Sequence, residues 1–474
     1  MNDPNGMVYF EGEYHLFYQH HPHGTTWGPM HWGHAISKDL VHWEHRPVAL
    51  KPDDNGAIFS GSAVVDWEDT SGLFGGKPGL VIIFTHADTY PDSDRPRQRQ
   101  SLAYSSDKGR TWTKYEGNPV LINEQITDFR DPKVFWHAAN RKWVMVIAAA
   151  DRIQIYHSTN LKDWNFESEF GASEGSHDGV WECPDLIELP VDGNTEQTKW
   201  LMIVSIGDNP DFTEGSRTQY FIGDFDGHTF VNDSYPETVL WLDHGRDNYA
   251  GVTWSDVNTS DNSKLFIGWM SNWKYANLTP TDSWRSAMTL PRVLRLKSGT
   301  AGIRLVQEPF AELNKLRLQE QSWNETTIIP NQNLFADLKL GSYELECEID
   351  LANAEEVGFK LRKSDSEETV ISYNVALQLL DVDRTKSGES GFHESFPCKH
   401  GVNFELQNGR LKLRIFVDHS SLEVFANDGE LVITDQIFPD ANSTDLELYV
   451  IGGEAKVISL ALYPMMSINS EVTV

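Results

Sequence analysis

Three short segments place a carboxylate where the backbone has little freedom: Asn2-Asp3-Pro4-Asn5-Gly6, Phe129-Arg130-Asp131-Pro132 and Trp181-Glu182-Cys183-Pro184-Asp185. In each, proline stands next to the acid or one residue from it, which narrows the backbone choices and so the directions in which the acid can point. Taken singly, each is also ordinary turn chemistry. Taken together, they supply what glycosidic hydrolysis needs, an ionised carboxylate and a protonated one flanking the bond. Asp3, among the amides of Asn2 and Asn5 and the N–H groups of a turn, is expected to stay ionised. Glu182, between Trp181 and Cys183 in an apolar setting, is expected to hold its proton. Asp131 has Arg130 beside it, which favours ionisation and suits a group that binds sugar hydroxyls rather than one that moves protons.

Other chemistries fit less well. Eight of the 17 histidines lie in the first 50 residues, at His15, His20, His21, His23, His31, His34, His42 and His45, which raises the alternative of a metal hydrolase. No HExxH or equivalent spacing occurs, and Trp32 and Trp43 among these histidines suit a polar, aromatic sugar pocket better. The 3 cysteines, Cys183, Cys347 and Cys398, show no CxxC spacing, so neither a disulfide framework nor structural zinc is expected. No metal and no cofactor are called for. With 39 Lys+Arg against 70 Asp+Glu, the net charge of −31 repels phosphate backbones and anionic headgroups, so neither nucleic acid nor a membrane is an expected partner. The 16 Trp, 15 Tyr and 23 Phe offer flat apolar faces for sugar rings or fill β-cores. No apolar run approaches the roughly 18 residues of a membrane helix, and no basic and apolar leader is present.

The elements that must position these acids read as all-β: short aromatic and β-branched runs broken by Gly, Pro, Asn and Asp. A loose repeat recurs as Ser37-Lys-Asp-Leu-Val-His-Trp43, Ser105-Ser-Asp-Lys-Gly-Arg-Thr-Trp112, Ser158-Thr-Asn-Leu-Lys-Asp-Trp164 and Asp224-Phe-Asp-Gly-His-Thr-Phe230. Each is a turn ending on an aromatic and neighbours an apolar run such as Lys142–Ala148 or Lys199–Val204. With Leu265–Met270 these copies predict a five-bladed β-propeller over residues 1–296, an irregular sandwich being the alternative. Residues 297–330 read as a linker with one short helix near 307–317, where Phe310, Leu313 and Leu316 fall at helical spacing. Strict alternation in Tyr343–Ile349, Leu411–Val417 and Leu422–Phe425, with the hairpin turn Asn427-Asp428-Gly429, predicts a C-terminal β-sandwich over 331–474. Its role is either a second sugar surface or a stabilising flank.

The three acid segments resemble the signature motifs of glycoside hydrolase family 32, the invertases, inulinases and levanases. The likeness continues through Phe17-Tyr18-Gln19, Trp27-Gly-Pro-Met-His-Trp-Gly-His34, Phe59-Ser-Gly-Ser62, Asp247-Asn-Tyr-Ala250, Trp269-Met-Ser-Asn-Trp273 and Leu290-Pro-Arg292, and in the C-terminal part through Asp383-Arg384-Thr385 and Phe416–Gly429. It implies a propeller with a funnel-shaped pocket, Asp3 as nucleophile, Glu182 as acid/base and Asp131 as transition-state stabiliser. It further implies a first sugar subsite lined by Asn2, Gln19, Trp27, Phe59, Ser60, Arg130, Asp131, Glu182 and Trp269. The implied reaction is retaining, exo-acting release of terminal fructose from levan or inulin, and from sucrose. The implied partners are therefore fructan polysaccharide or oligosaccharide and sucrose, and the implied location is extracellular, with the signal peptide outside the chain. The sequence departs from the family at Asn248, where an aromatic is usual, and begins at the motif itself, where the family has further residues upstream. A fructosyltransferase, an endo-acting fructanase and a non-catalytic fructan binder are the alternatives; linkage preference and oligomeric state are not legible.

Overall fold

The computed structural model describes residues 1–468. It is all-β apart from one short 3-10 helix. By contacts the chain divides into two compact units, one of Met1–Leu242, Asn248–Trp273 and Thr281–Leu305, the other of Asp243–Asp247, Lys274–Pro280 and the chain from Val306 onward.

The first unit is built from four-stranded antiparallel meanders. Strands β1 (Pro4–Phe10), β2 (Glu13–His20), β3 (His31–Ser37) and β4 (Trp43–Leu50) form the first, in that order. The second comprises β5 (Ala57–Asp66), β6 (Gly79–Thr89), β7 (Pro96–Ser105) and β8 (Thr113–Lys114), with β9 (Leu121–Ile122) also on β7. The third is β10 (Phe129–His137), β11 (Lys142–Ala149), β12 (Ile153–Ser158) and β13 (Asn165–Phe170). The fourth run, β14 (Trp181–Val191), β15 (Asn194–Ile206), β16 (Arg217–Phe225) and β17 (Phe230–Asn232), has β18 (Leu240–Trp241) on β16. One parallel pair, Val191 with Leu296, joins it to a last group: β19 (Tyr249–Thr253), β20 (Lys264–Met270), β21 (Ala287–Met288), β22 (Arg292–Gly299) and β23 (Gly302–Pro309).

All four copies of the repeated turn join the third strand of a run to its fourth, and local chemistry explains why. In the first, Ser37 Oγ accepts from Leu40 N at 2.8 Å and Asp39 Oδ1 from His42 N at 2.9 Å. Asn160 takes the place of Asp39 in the third copy, accepting from Asp163 N at 2.9 Å. Such Ser and Asx side chains stand in for backbone partners, and Leu40, Lys108 and Leu161 turn the corner with φ of 61°, 59° and 65°. Between successive sheets lie dry apolar layers: Val8, Trp32, Ile58 and Phe84 between the first two, Val64, Leu102, Phe129 and Met145 in the next, Val146, Trp181 and Met202 after that. Because both faces of an inner sheet are covered, β11 is a continuous buried run rather than an alternating one.

The second unit is a two-sheet sandwich. After the 3-10 helix Ala311–Leu316, β24 (Gln321–Ile328) begins a set running through β25 (Tyr343–Asp350), β26 (Glu356–Lys363), β27 (Glu368–Asn374), β28 (Leu379–Lys386), β29 (Lys399–Asn403), β30 (Arg410–Val417), β31 (Ser421–Ala426), β32 (Leu431–Gln436), β33 (Asp445–Ile451) and β34 (Ala455–Pro464). One sheet is ordered β24-β34-β25-β30-β31-β32, the other β29-β28-β27-β26-β33. Inward-facing Leu345, Phe359, Val382, Ile415, Val424 and Leu448 form one core. The Asn427-Asp428-Gly429 hairpin has φ of 45°, 57° and 86°, the left-handed values its residue types accept. Within this unit the wholly buried Arg384 pairs with Asp247 at 2.5 Å, and Tyr275 donates to the same carboxylate at 2.6 Å.

The segment read as a linker is more regular than expected. Residues 292–309 form β22 and β23, and residues 321–328 form β24 against β34. The short helix is 3-10, with Leu313 N on Phe310 O at 3.1 Å and Arg317 N on Asn314 O at 3.2 Å. Six residues following Pro309 are too few to recover the cost of α-helix nucleation.

Candidate active site

The acids do not lie in simple turns. The first strand of each run carries a β-bulge; Asp131 lies in one, Glu182 just before one, and Asp3 just ahead of the strand whose bulge is Gly6-Met7. In β1 two residues, Gly6 and Met7, oppose one between the pairs Asn5–Phe17 and Val8–His15. The same two-against-one slip holds Asp131 and Pro132 in β10, Cys183 and Pro184 in β14, and Ala250 and Gly251 in β19. In β5 the extra residue is Ser60. A bulge re-aims a side chain that the pleat would otherwise send into a sheet-to-sheet layer. Four of these bulges contain a left-handed residue: Gly6 (φ 55°), Asp131 (63°), Cys183 (47°) and Ala250 (53°). Proline at 132 and 184 follows that residue, where its missing N–H costs no ladder bond.

The re-aimed side chains converge. Asp3 accepts from Asn2 Nδ2 at 2.9 Å on Oδ1 and from Ser60 Oγ at 2.8 Å on Oδ2. Asp131 Oδ2 accepts the Cys183 backbone N–H at 3.0 Å. The Cys183 thiol lies 3.5 Å from Asp131 Oδ2 and 3.8 Å from Asp3 Oδ2, so a single sulfur touches two of the three acids while its neighbour Glu182 carries the third. Arg130 donates to Glu182 Oε1 from Nε at 3.0 Å and Nη2 at 2.9 Å, and its Nη1 reaches Asp128 at 2.5 Å. The Tyr249 hydroxyl donates to Glu182 Oε2.

This geometry corrects the expected proton affinities of Asp3 and Asp131 and the expected surroundings of Glu182. Burial, followed by the charge of Glu182, raises the pKa of Asp3; the donors Asn2 and Ser60 pull it down without prevailing. Asn5, counted on as a second amide donor, instead faces Ser60 Oγ at 3.4 Å. Asp131 is likewise pushed up to about 7 by burial, against the downward pull of Arg130 and with Glu182 and Asp3 adding to the rise. Nor is Glu182 in an apolar setting, since three donor atoms from Arg130 and Tyr249 hold its carboxylate. Desolvation reaches every member of a buried cluster, whereas sequence neighbours report only local donors. Burial, then the nearby carboxylates, keeps Cys183 a thiol by raising its pKa.

The remaining expected residues fall around this cluster. Asn2 N donates to Gln19 O at 3.1 Å and Gln19 N to Asp3 O at 3.0 Å, a backbone clamp on the acid, while Gln19 Nε2 reaches Ile58 O at 3.1 Å. Phe59 is held by Trp32 Nε1 on its carbonyl at 3.0 Å, and the Trp27 ring meets it edge-on at 5.9 Å. Trp27 is 51% exposed, so its face is open to solvent. Trp269 is 1% exposed and packs on Tyr249 at 6.3 Å and Trp273 at 4.7 Å; it braces Tyr249. Sequence reasoning did not single out Tyr249, Cys183 or Asp128. Tyr249 lies within a family-like stretch and Cys183 within an acid segment, yet neither type announces its use. Among the described residues, no group of three or more His, Cys, Asp and Glu side chains is placed to hold a metal ion.

Residues 1–309 match the model of the glycosyl hydrolases family 32 N-terminal domain, and residues 312–464 that of the glycosyl hydrolases family 32 C terminal. The chain is 54% identical over 474 residues to a levanase of Bacillus subtilis (strain 168), an alignment spanning 99% of this chain and 69% of that protein. It is 40% identical to an extracellular exo-inulinase of Aspergillus awamori, over 98% of this chain and 92% of that one. The crystal structure of exo-inulinase from Aspergillus awamori superposes with a TM-score of 0.90 at 38% identity, covering 99% of this chain and 96% of the other. Its architecture is thus a β-propeller with a β-sandwich, and the chain, a glycoside hydrolase, belongs to family 32.

Proposed function

We propose that this enzyme releases terminal fructose from β-fructans such as levan and inulin, and from sucrose, by a retaining, exo-acting double displacement. The observation that carries the reading is the convergence of Asp3 and Asp131 onto the sulfur of Cys183, whose chain neighbour Glu182 is closed on by Arg130 and Tyr249. Asp3, clamped through Gln19 and oriented by Ser60, attacks the anomeric C2 of a terminal fructosyl unit. Glu182 protonates the departing glycosidic oxygen, and a fructosyl-enzyme forms at Asp3. Glu182 then takes a proton from water, which attacks C2 and restores the anomeric configuration. Asp131, with Arg130, holds ring hydroxyls that tighten as the oxocarbenium-like transition state develops. Asn2, Gln19, Phe59 and Ser60 shape the first subsite and Trp269 supports it. The exposed Trp27 edge offers a face to the departing sugar.

Five blades are the propeller reading these sheets favour. Five strands, β1, β5, β10, β14 and β19, carry the five bulges, the fourth and last runs meet at a single residue pair, and Tyr9 N on Ser255 O at 3.0 Å links the first strand to the segment after β19. Secretion is favoured by the extracellular relative. Product analysis on levan, inulin and sucrose, run in parallel with Asp3→Asn, tests the reading. Fructose as the sole early product from fructan ends and loss of at least about 10⁴-fold in turnover in the folded variant are expected. A still-active Asp3→Asn protein removes Asp3 as nucleophile, and internal cleavage products remove the exo assignment.

A further inference from the structure

The bulged strands lead on to a second cavity. Four or five residues beyond the acid cluster, β5, β10, β14 and β19 reach Val65, Phe135, Ile187 and Thr253, which line a cavity of about 530 Å³. At about 3.3 Å per residue, that is roughly 13–17 Å further along the strands. A buried polar layer stands between the two: Lys133 Nζ donates to Asp185 Oδ2 at 3.1 Å and to Thr253 O at 2.7 Å, and Thr253 N donates to the same Asp185 oxygen at 2.7 Å. The cavity is therefore separate from the acid pocket rather than its floor. Its size lies within the range of about 300–1,000 Å³ usual for small-molecule sites.

Its walls are immobilised aromatic faces. Trp67 is 55% exposed, yet its Nε1 is tied to Asp256 Oδ1 at 2.9 Å, and Asp256 Oδ2 accepts Val65 N at 3.0 Å. Trp136 is 38% exposed and rests edge-on against Trp143 at 5.1 Å, whose own Nε1 is fixed on Thr70 Oγ1 at 2.9 Å. Side chains this large, left open while one is tied by its ring nitrogen and the other rests on a fixed ring, are arranged to receive something. Lys264 lines the same cavity; its ammonium makes no hydrogen bond or ion pair with a described side chain, and burial lowers its pKa against the opposing charge of Asp185, Glu188 and Asp256. The exposed carboxylates of Glu68 and Glu188 also line the cavity.

Each class of occupant can be weighed against these groups. An anion would meet more carboxylates than ammonium groups. A wholly apolar molecule would desolvate the Lys264 ammonium without giving it a hydrogen-bond partner. A sugar satisfies all of them, since its hydroxyls accept from Lys264 and donate to carboxylates while its C–H faces lie on indole rings. We propose that this cavity is a second carbohydrate-binding site, taking a neutral saccharide of one or two rings independently of the acid cluster.

Titration calorimetry of the full chain tests it. With Asp3→Asn protein and sucrose, two sites per chain are expected. Fructose titrated into the unsubstituted protein gives the same count whatever role Asp3 plays, so failure of the hydrolase reading stays distinguishable. Trp136→Ala with Lys264→Met should remove one site while leaving sucrose hydrolysis within about twofold; Lys264→Met alone, a change of little bulk, should weaken that site at least tenfold. A single site per chain, or two sites that both survive these substitutions, overturns the proposal.

Discussion

Asp131 holds its carboxyl at a left-handed backbone position, φ 63°, buried to 6% exposure. Its proton affinity is set by burial first, which lifts the pKa from the usual 3.8 to about 7. Between those values the folded protein keeps a proton that the unfolded chain has already released, so stability falls with rising pH. The contribution is fully present below pH 3.8 and gone once pH has risen through about 7. Asp3, also raised, adds in the same direction. Asparagine at 131 removes the charge and tolerates the left-handed φ, where alanine would add strain. Asp131→Asn should therefore stabilise the protein by roughly 1–3 kcal/mol at pH 8, with the gain vanishing at pH 4, while fructose release drops at least about 100-fold. Thermal melts at the two pH values decide it; a melting point at pH 8 no higher than that of the parent would mean that burial does not dominate this carboxyl. The three carboxylates that the structure brings together could be picked out in advance because proline-bounded acids are local features. The proton affinities of Asp3 and Asp131 and the donors on Glu182 could not be, because desolvation and the reach of Arg130 to Glu182 depend on residues 52 apart in the chain.

At the scale of the elements, the bulge does the positioning, and Gly6 shows how little room it leaves. With φ 55°, a Cβ there would stand 2.5 Å from the Trp32 ring and 2.9 Å from that of Phe17, both fully buried. Strain from the backbone and overlap with two core rings act together, so Gly6→Ala should cost about 2 kcal/mol or more. Asp3 lies three residues upstream of this slip in register, just ahead of β1, so kcat should fall as well, by about tenfold or more. Denaturant unfolding and initial rates on sucrose measure the two losses; a stable variant of normal kcat would show that the β1 bulge does not set Asp3. The Ser-x-Asp and Ser-x-Asn turns were readable in advance because serine and Asx side chains bond backbone two to four residues away, as Ser37 and Asn160 do. The bulges were not, since a register slip is a relation between two strands and leaves no signal in either one alone. The 3-10 form of the short helix was missed for a related reason: spacing of Phe310, Leu313 and Leu316 fits either helix, and only the six-residue length between strands selects the tighter one.

Across the whole molecule, acidic residues outnumber basic ones by 70 to 39, leaving a net charge of −31. Much of this charge is unpaired at the surface, where like charges repel through solvent over about 10 Å at 0.1 M salt. Added salt screens that repulsion and should stabilise the folded state, raising the melting point by about 2–5 °C between 10 and 200 mM NaCl. The chemistry should respond differently. A fructan or sucrose carries no charge, so its encounter gains nothing from the field and loses nothing when the field is screened. The electrostatics that matter to turnover lie inside the acid cluster, where Arg130 is buried against Glu182 and Asp128, and a buried pair is screened far less than a surface one. Hence kcat/KM on sucrose should change less than about twofold over the same salt range while stability climbs. A steep rise in kcat/KM with salt would indicate an anionic substrate that the surface repels when unscreened, and a steep fall a cationic one it attracts; either outcome would displace neutral fructosides from the proposed function even if the three acids kept their roles.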